Sequence, residues 1–562
     1  MAERLLNRRI RLLAALLAAL FVVAVARTAW LQAVQAPSFE SLAQGQQRET
    51  IRLPSGRGTI YDRMGVPLAL GEEATTVFAN PQQIRQPRLV AAAVARDLGL
   101  EQQAVLKLLS DRSRGFVYLA RKADPKRAKA LESRDIVGLG FYPEERRAYP
   151  QHKVGAGVVG YAGLDNEGLA GLEQQYESAL SGRDGAETIV RDPFGRMLDV
   201  VAASPAREGK DIHVSLDQRL QAQVEQVLRQ TRAAWGAKGA TAIVMDPRTG
   251  GILAMAVEPG YDANAYDRQP SDAVRNRAVT DTYEPGSTFK VVTVAGALQE
   301  RIVNPGTTFT LPYAIQVSDR VIHDAEERGT ETMTVAQILS RSSNVGAITL
   351  ALALGRDRLA RWIDRFGFGN STGVDFPGES SGIVLPPKKW TGSTIGNVPI
   401  GQGIAVTPIQ MAAAYSAIAN GGVWIRPHLI QRVGDHRVPV GAKRRIVSRR
   451  TAELLTAMMR DVVEFGSGTH ASVPGFTVAG KTGTAAKPDP TGGYSDTRYV
   501  ASFVGFAPAR APRIVVLVAV DEPQGTIWGG EVAAPAFSKI AEFALQYLEV
   551  PPDAPQTLRA PE

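Results

Sequence analysis

Ser287 and Lys290, a serine and a lysine three residues apart, form a pair of residue types that could carry out nucleophilic chemistry. They lie in the segment YEPGSTFKVV, residues 283–292, where Pro-Gly breaks the chain and an apolar helical pattern follows. The spacing predicts that Ser287 begins a helix and that Lys290 lies on the same face of it. A serine hydroxyl becomes an effective nucleophile when a neighbouring base takes its proton. Lysine can be that base only in its neutral form, so we expect burial or a second cation to lower its pKa.

A second polar segment interrupts a helical pattern further along the chain. Residues 338–346 read ILSRSSNVG, with Ser342, Ser343 and Asn344 at the interruption. Such breaks are often only helix caps. Here the hydroxyl of Ser342 could relay a proton, and we expect the amide of Asn344 to hold a substrate amide.

A third segment, VAGKTGTA at residues 478–485, lies on a strand that we predict to begin at Phe476. Gly483 has no side chain, and we expect this to let a substrate backbone approach closely. Lys481, Thr482 and Thr484 offer one positive charge and two hydroxyls to a substrate carboxylate.

A lone SxxK occurs readily by chance. The ordered set SxxK, SxN and KTG resembles the signature of penicillin-binding proteins and class A β-lactamases. The three motifs are also predicted at a helix start, a helical break and a strand, which are three different structural contexts.

The elements that must position these motifs follow from hydrophobic periodicity. Five strands are predicted, at residues 241–245, 251–257, 476–480, 499–506 and 514–520. Amphipathic helices are predicted at residues 88–111, 218–231 and 534–548. The strand groups are separated by a mostly helical stretch. The predicted class is α+β, with one five-stranded antiparallel sheet covered by helices and carrying a helical subdomain.

The N-terminal segment determines the expected compartment. Arginines precede an apolar run, and residues 10–34 together could span a bilayer if Arg27 extends to the interface beside Trp30. The arginine cluster predicts a cytoplasmic N-terminus and an external body in a single-pass inner-membrane protein. A cleaved signal peptide, with residues 24–26 as a small-x-small site, is the alternative.

Composition excludes several classes of site. The chain of 562 residues contains no cysteine, which excludes disulfides, thiolate metal sites and a cysteine nucleophile. Its six histidines show no metal-binding spacing, so we predict no metal and no cofactor. The net charge of +8 is spread along the chain, which argues against nucleic-acid binding. A GxGxxG match at residues 155–160 lacks the preceding apolar strand and the acidic residue of a dinucleotide site.

Nearly the whole chain resembles the class B penicillin-binding proteins, and within them the cell-division branch. The resemblance is carried by the three motifs, by GQG at residues 401–403, by FVGFAP at 503–508 and by pedestal-like pieces such as RGTIYDR at 57–63. Together with the arginine-flanked apolar run and the Pro-rich C-terminus, the resemblance implies a cytoplasmic tail (1–9), a transmembrane anchor (10–34), an elongated α/β pedestal of the dimerisation type (35–208), a transpeptidase domain (209–549) and a disordered tail (550–562).

By the same resemblance, the chain cross-links peptidoglycan stem peptides at the division septum and is inhibited by β-lactams. Ser287 would attack the penultimate D-Ala, with Lys290 as base, Ser342 and Lys481 in proton transfer, Asn344 orienting the substrate, and Thr482, Gly483 and Thr484 binding it. Backbone N–H groups of Ser287 and Thr484 would form the oxyanion hole. Implied partners are the lipid-linked stem pentapeptide, a SEDS-family glycosyltransferase and other divisome membrane proteins.

Two other functions stay open at this point. A D,D-carboxypeptidase or β-lactamase would use the same acylation, although no ExxLN segment with a deacylating glutamate is present. A catalytically silent scaffold or sensor would be expected to have lost Ser287 or Lys290. We interpret His323 and Asp324 as loop hydrogen-bonding residues and Glu284 as a surface residue.

Overall fold

The computed structural model describes residues 2–35, 48–53, 55–191, 197–270 and 273–554. The chain forms two compact units, one of Met1–Gly56 with Gly182–Glu208 and one of Arg57–Ser181 with Gly209–Glu562. Residues 57–181 therefore group with the predicted transpeptidase domain. The pedestal boundaries implied by the resemblance stay a prediction.

The first unit contains the N-terminal apolar helix. An α-helix, Ala2–Trp30, continues as a π-helical turn, Leu31–Gln35. Its part Asn7–Ala33 is long and apolar enough to cross a membrane. The same unit holds a three-stranded antiparallel sheet with Gly185–Arg191 between Arg48–Leu53 and Met197–Ser204. A single-pass anchor is compatible with this helix.

The N-terminal part of the second unit is built on a seven-stranded sheet. In spatial order its strands are His436–Arg437, Ile430–Val433, Ile212–Val214, Ile60–Tyr61, Pro67–Ala79 and Val117–Ala123, with Leu139–Ala148 also paired to Pro67–Ala79. Its helices are Pro87–Leu98, Gln102–Ser110, Pro125–Glu132, Ala156–Val159, Gly171–Gln175 and Glu177–Leu180. The helices predicted at residues 88–111 are confirmed.

The predicted five-stranded antiparallel sheet is the centre of the second unit. Its order is Ile252–Glu258, Gly239–Met245, Ile514–Asp521, Tyr494–Ala507 and Ala479–Pro488. Side chains alternate between two apolar layers, so that Val515 and Leu517 enter one core while Val516 and Val518 enter the other. The sheet is thus buried on both faces, which explains the nearly continuous apolar runs of its strands.

Helices cover both faces of this sheet. Gln218–Ala234 and Ala534–Tyr547 pack on one face, and Pro408–Ala419 lies on the other. The remaining helices are Arg277–Thr280, Lys290–Gln299, Val335–Ser340, Asn344–Leu354, Arg356–Phe366, Thr394–Asn397, Arg449–Glu464 and Gly529–Val532. Three small strand pairs join them: Thr308–Leu311 with Glu331–Thr334, Ala314–Val317 with Arg320–His323, and Val423–Ile425 with Lys443–Arg445. The predicted helical subdomain therefore also contains β-hairpins.

One local prediction was wrong. The strand that carries the KTG motif begins at Ala479 rather than Phe476, because the N–H of Phe476 donates back to the carbonyl of Val473 in a turn. Within the tail predicted to be disordered, residues 550–554 are packed on the body. The carboxylate of Asp553 accepts hydrogen bonds from the N–H and hydroxyl of Thr477 at 2.7 and 2.5 Å. Residues 555–562 lie outside the described residues.

Phe537 tests the packing between the sheet and its C-terminal helix. Its side chain is fully buried against Phe503, with ring centroids 4.7 Å apart. We expect Phe537→Ala to destabilise the fold by about 3–5 kcal/mol, because the cavity left in the core cannot collapse fully. Phe465, which is 82% exposed, supplies the control, and Phe465→Ala should change stability by less than about 0.5 kcal/mol. Denaturant midpoints of the two variants measure the difference, and similar midpoints would contradict the packing described here.

Candidate active site

Ser287 lies in a short 3-10 turn, Gly286–Phe289, which leads directly into the helix Lys290–Gln299. Gly286 adopts a positive φ of 55°, and its N–H donates to the carbonyl of Gly401 at 3.1 Å. A side chain on Gly401 would place its Cβ 2.1 Å from the carbonyl oxygen of Gly286. Glycine is therefore required for this close backbone approach. The half-buried Ser287 forms no hydrogen bond through its hydroxyl with any residue that the structure describes, so this hydroxyl has no internal partner to displace.

Lys290 is the buried centre of the site. Its side chain is 1% exposed, and its Nζ donates to the carbonyl oxygen of Ser342 at 2.5 Å and to Asn344 Oδ1 at 2.7 Å. The hydroxyl of Ser342 lies 3.2 Å from the same nitrogen. Burial lowers the pKa of Lys290 to about 7, and attraction to Asp324 opposes this shift only in part. A substantial fraction of the amine is therefore neutral near pH 7.

The hydrogen-bond partners of Lys290 suit a neutral amine. A neutral amine has two N–H donors and one lone pair, whereas an ammonium has three donors and none. The carbonyl oxygen of Ser342 and Asn344 Oδ1 can only accept, so they occupy both donors. In the neutral form the lone pair is left for a hydroxyl, as a general base needs. In the ammonium form the third donor reaches the Ser342 hydroxyl.

Ser342 is held in a strained backbone conformation between two helices. Its φ is 61°, a left-handed value that costs a non-glycine residue roughly 1 kcal/mol or more. The next residue, Ser343, caps the helix Asn344–Leu354 by accepting from the N–H of Gly346 at 2.9 Å. The predicted helical break therefore caps the following helix and also directs the carbonyl and hydroxyl of Ser342 toward Lys290.

A buried ion pair that we did not single out as functional fixes this break. Asp324 accepts from Ser343 Oγ at 3.0 Å and from the N–H of Val345 at 3.0 Å, and it pairs with Arg328 at 2.5 Å. The neighbouring His323 carbonyl accepts from Asn344 Nδ2 at 2.9 Å. Both ends of the Asn344 amide thus have protein partners, with one N–H and one lone pair left for a substrate.

Lys481 is a second buried lysine close to the first. It is 0% exposed, and its Nζ donates to the hydroxyl and carbonyl of Thr482 at 3.1 and 3.3 Å. Burial, and then repulsion from Lys290, hold the pKa of Lys481 well below its usual value. Thr482 Oγ1 also lies 2.7 Å from Ser467 Oγ, and Thr484 Oγ1 accepts from the N–H of Gly529 at 3.1 Å. The three side chains line the strand Ala479–Pro488, which is the edge strand of the five-stranded sheet.

The structure explains the glycine at position 483 differently from our prediction of a close approach by the substrate backbone. A Cβ at this position would lie 2.3 Å from Ser502 Oγ, 2.9 Å from the carbonyl oxygen of Pro285 and 2.9 Å from Thr288 Cγ2. The space that a side chain would need is filled by the protein's own nucleophile turn and the neighbouring strand. The missing side chain therefore lets the edge strand pack against the turn that carries Ser287.

Glu284, which we interpreted as a surface residue, is half-buried in the turn that carries Ser287. Its Oε1 accepts from the N–H of Gly403 at 3.0 Å and from the hydroxyl of Tyr494 at 3.1 Å, while Oε2 is buried and has no hydrogen-bond partner among the described residues. Burial raises the pKa of this carboxyl. Glu284 ties the nucleophile turn to the GQG loop and to the strand Tyr494–Ala507. The Pro-Gly break beside it gave no signal of this burial.

Comparison with known proteins adds to this geometry. A family model described as "Penicillin binding protein transpeptidase domain" matches residues 240–542, and one described as "Penicillin-binding Protein dimerisation domain" matches residues 52–214. "Stage V sporulation protein D" of Bacillus subtilis is 34% identical, with 95% of this chain and 84% of that protein covered. "Peptidoglycan D,D-transpeptidase FtsI" of Escherichia coli K12 is 32% identical, with 94% and 90% covered. The crystal structure of penicillin binding protein 3 from Mycobacterium tuberculosis complexed with aztreonam is similar with a TM-score of 0.72 at 31% identity, with 91% of this chain and 100% of that chain covered.

The packing at Gly483 gives a stability prediction. Gly483→Ala should destabilise the protein by about 1–3 kcal/mol, because the added methyl group overpacks the contact with Ser502 and Pro285. Gly329→Ala is the matched control, since that exposed glycine has nothing within 4 Å of an added Cβ. Thermal unfolding midpoints of the two variants provide the measurement. Equal midpoints would show that the space beside Gly483 is free for a ligand.

Proposed function

The chain belongs to the class B penicillin-binding proteins as a peptidoglycan D,D-transpeptidase of the FtsI type, and from this membership we propose that Ser287 is the residue it acylates. The substrate is a stem pentapeptide that ends in D-Ala-D-Ala. The observation that carries the proposal is the buried Lys290 amine, whose pKa of about 7 and two acceptor-only partners suit a neutral base.

Acylation forms an ester bond to Ser287 and breaks the amide bond to the terminal D-Ala. Ser287 Oγ attacks the carbonyl carbon of the penultimate D-Ala, and its proton passes to the lone pair of Lys290. Backbone N–H groups of Ser287 and Thr484 stabilise the oxyanion. The C–N bond to the terminal D-Ala then breaks, and the departing amine receives a proton relayed through Ser342, with Lys481 assisting. The products are free D-Ala and an ester on Ser287.

Transfer completes the cycle. The amine of a neighbouring stem attacks the ester, an amide forms between the two stems, and the Ser287 hydroxyl is restored. A β-lactam undergoes the same attack, but its leaving amine stays attached to the acyl group, so the adduct persists. Asn344 orients the bound peptide, and Thr482 with Thr484 bind its carboxylate.

The edge strand provides a mode of substrate binding. Among the strands that the structure describes, Ala479–Pro488 pairs with one neighbour, so its outer edge can accept an extended peptide as an added strand. Lys481, Thr482 and Thr484 are on this strand, and Ser287 lies in the turn that packs against it. We infer that the stem peptide lies along this edge as an added strand, with its carboxylate at Thr482 and Thr484.

The cellular setting follows from the anchor and the relatives. We propose that residues 10–34 cross the inner membrane, with residues 1–9 in the cytoplasm and the catalytic domain outside. We also propose that residues 35–208 act as the pedestal and residues 209–549 as the transpeptidase domain, at the division septum. A SEDS-family glycosyltransferase and other divisome membrane proteins are the partners that this role would require.

Intact-protein mass spectrometry with benzylpenicillin tests the nucleophile. We expect one stable adduct on the wild type and none on Ser287→Ala, because Ser287 lies in the turn that leads into the helix of Lys290 and we propose it as the acylated residue. Ser340→Ala is the control, since Ser340 lies in a neighbouring helix with its hydroxyl bonded to the carbonyl of Gln337. An adduct that survives Ser287→Ala, or rapid release of penicilloate, would reject the transpeptidase assignment of this residue.

The rate of penicillin acylation should depend on pH through Lys290. Below about pH 7 the amine is protonated and cannot take the serine proton, so the rate should fall by about tenfold per pH unit, and above it the rate should level off. Stopped-flow acylation between pH 5 and 9 measures this profile. Lys290→Arg should stay inactive throughout, because a guanidinium keeps its proton. A rate that rises toward acid would exclude Lys290 as the base.

A further inference from the structure

A strongly basic cavity lies in the second unit, outside the three catalytic motifs. It has a volume of about 540 Å³ and is bordered by the strands Ile212–Val214 and Ile430–Val433 and by the turn at residues 246–251. Its lining includes five arginines: Arg63, Arg248, Arg432, Arg437 and Arg513. His213 and His428 also line it, and Asp246 is the one acid in its lining. Positive charge thus exceeds negative charge among the lining residues.

The strand register aligns three of these basic residues. Arg432 is directly opposite His213 on one neighbouring strand and directly opposite Arg437 on the other. Residues directly opposite in an antiparallel pair point to the same face, and like charges in such positions are destabilising. A guanidinium nitrogen of Arg432 also contacts His213 Nε2 directly. The sheet therefore holds two cations and an imidazole side by side.

Internal carboxylates neutralise only part of this charge. Arg248 pairs with Asp246 at 3.2 Å, and Arg63 lies 3.9 Å from the buried Asp217. In the part of the chain that the structure describes, Arg432, Arg437 and Arg513 have no carboxylate within ion-pair distance. Arg513 Nε is moreover buried and has no hydrogen-bond partner there. A buried donor without a partner is costly, and a bound acceptor would satisfy it.

We propose that this cavity binds a multivalent oxyanion of the diphosphate type. Planar guanidinium groups match phosphate oxygens in paired hydrogen bonds, and several of them here point into one space. The volume lies within the range of small-molecule sites and exceeds what a single phosphate fills. The diphosphate is either free or the ester headgroup of a larger molecule.

The site is separate from the acyl-transfer chemistry. None of its lining residues belongs to the SxxK, SxN or KTG segments. Loss of the site should therefore leave the reaction of Ser287 with benzylpenicillin unchanged. That reaction serves as an independent readout, so failure of this proposal and failure of the proposed nucleophile are distinguishable.

Calorimetric titration of the full chain in detergent micelles with inorganic pyrophosphate, at constant ionic strength, tests the proposal. We expect saturable binding that weakens about tenfold or more in Arg432→Gln and again in Arg513→Gln, because each loses charged hydrogen bonds. Arg450→Gln is the control, since Arg450 is an exposed arginine with no role in the cavity. Competition by uridine diphosphate would show that an esterified diphosphate is also recognised, and its failure to compete would restrict the site to the free anion.

The thermal unfolding midpoint of Arg432→Gln distinguishes a ligand-binding role of Arg432 from a structural role. Without ligand, Arg432→Gln should unfold at the same or a higher temperature than the wild type, because the substitution removes a cation from between His213 and Arg437. A lower midpoint would assign Arg432 a structural role. Absence of saturable binding, equal binding by the variants, or sulfate binding as tightly as pyrophosphate would overturn the proposal. So would binding of an acidic peptide in place of pyrophosphate.

Discussion

The burial of two lysine amines in one small volume is the constraint on which the rest of the site depends. Lys290 and Lys481 are both excluded from solvent, and the positive charge of Lys290 adds to burial in lowering the pKa of Lys481. Two ammonium groups could not be buried there together without several kcal/mol of penalty. Since the carboxylate of Asp324 stabilises the charge on Lys290 only partly, the amine is poised between its two forms. The packed helices and the double-sided sheet maintain this dry environment, which an isolated SxxK helix could not provide.

Ser287, the proposed nucleophile, is positioned mainly by close contacts of backbone segments at glycines. Gly286 lies against Gly401 on one side, and the edge strand meets the same turn at Gly483 on the other. Neither contact leaves room for a side chain, because a methyl group in either gap would displace the turn. Glu284 adds a polar tether on the outside of the turn, to Gly403 and Tyr494. Three segments therefore set the position of Ser287: its own turn, the GQG loop at Gly401 and the edge strand at Gly483. The loop and the strand are both distant from Ser287 in sequence.

Much of the fold and of the candidate site could be predicted from the sequence, and the features that could not be predicted share one cause. The motifs, the five strands and the covering helices follow from local spacing and hydrophobic periodicity, which are properties of short segments. The roles of Asp324, Arg328 and Glu284 depend on which distant segments meet, so no local pattern reveals them. Gly483 was correctly singled out but for the wrong reason, because its neighbours Pro285 and Ser502 come from other parts of the chain. The start of the KTG strand was misplaced because a turn at Val473–Phe476 is as apolar as the strand that follows.

The clamp formed by Asp324, Arg328 and Ser343 has a consequence for how this enzyme could escape inhibition. The groups that touch a β-lactam are the ones that must also touch the natural peptide, so selection can change few of them without loss of wall synthesis. None of the three residues is among the proposed catalytic or substrate-binding residues, yet the hydrogen bonds of Asp324 and of the neighbouring His323 fix the segment of Ser342 and Asn344. Substitutions there can alter the fit of a rigid bicyclic drug more than that of a flexible peptide. Drug-tolerant alleles should therefore accumulate in this supporting layer, away from the inhibitor itself.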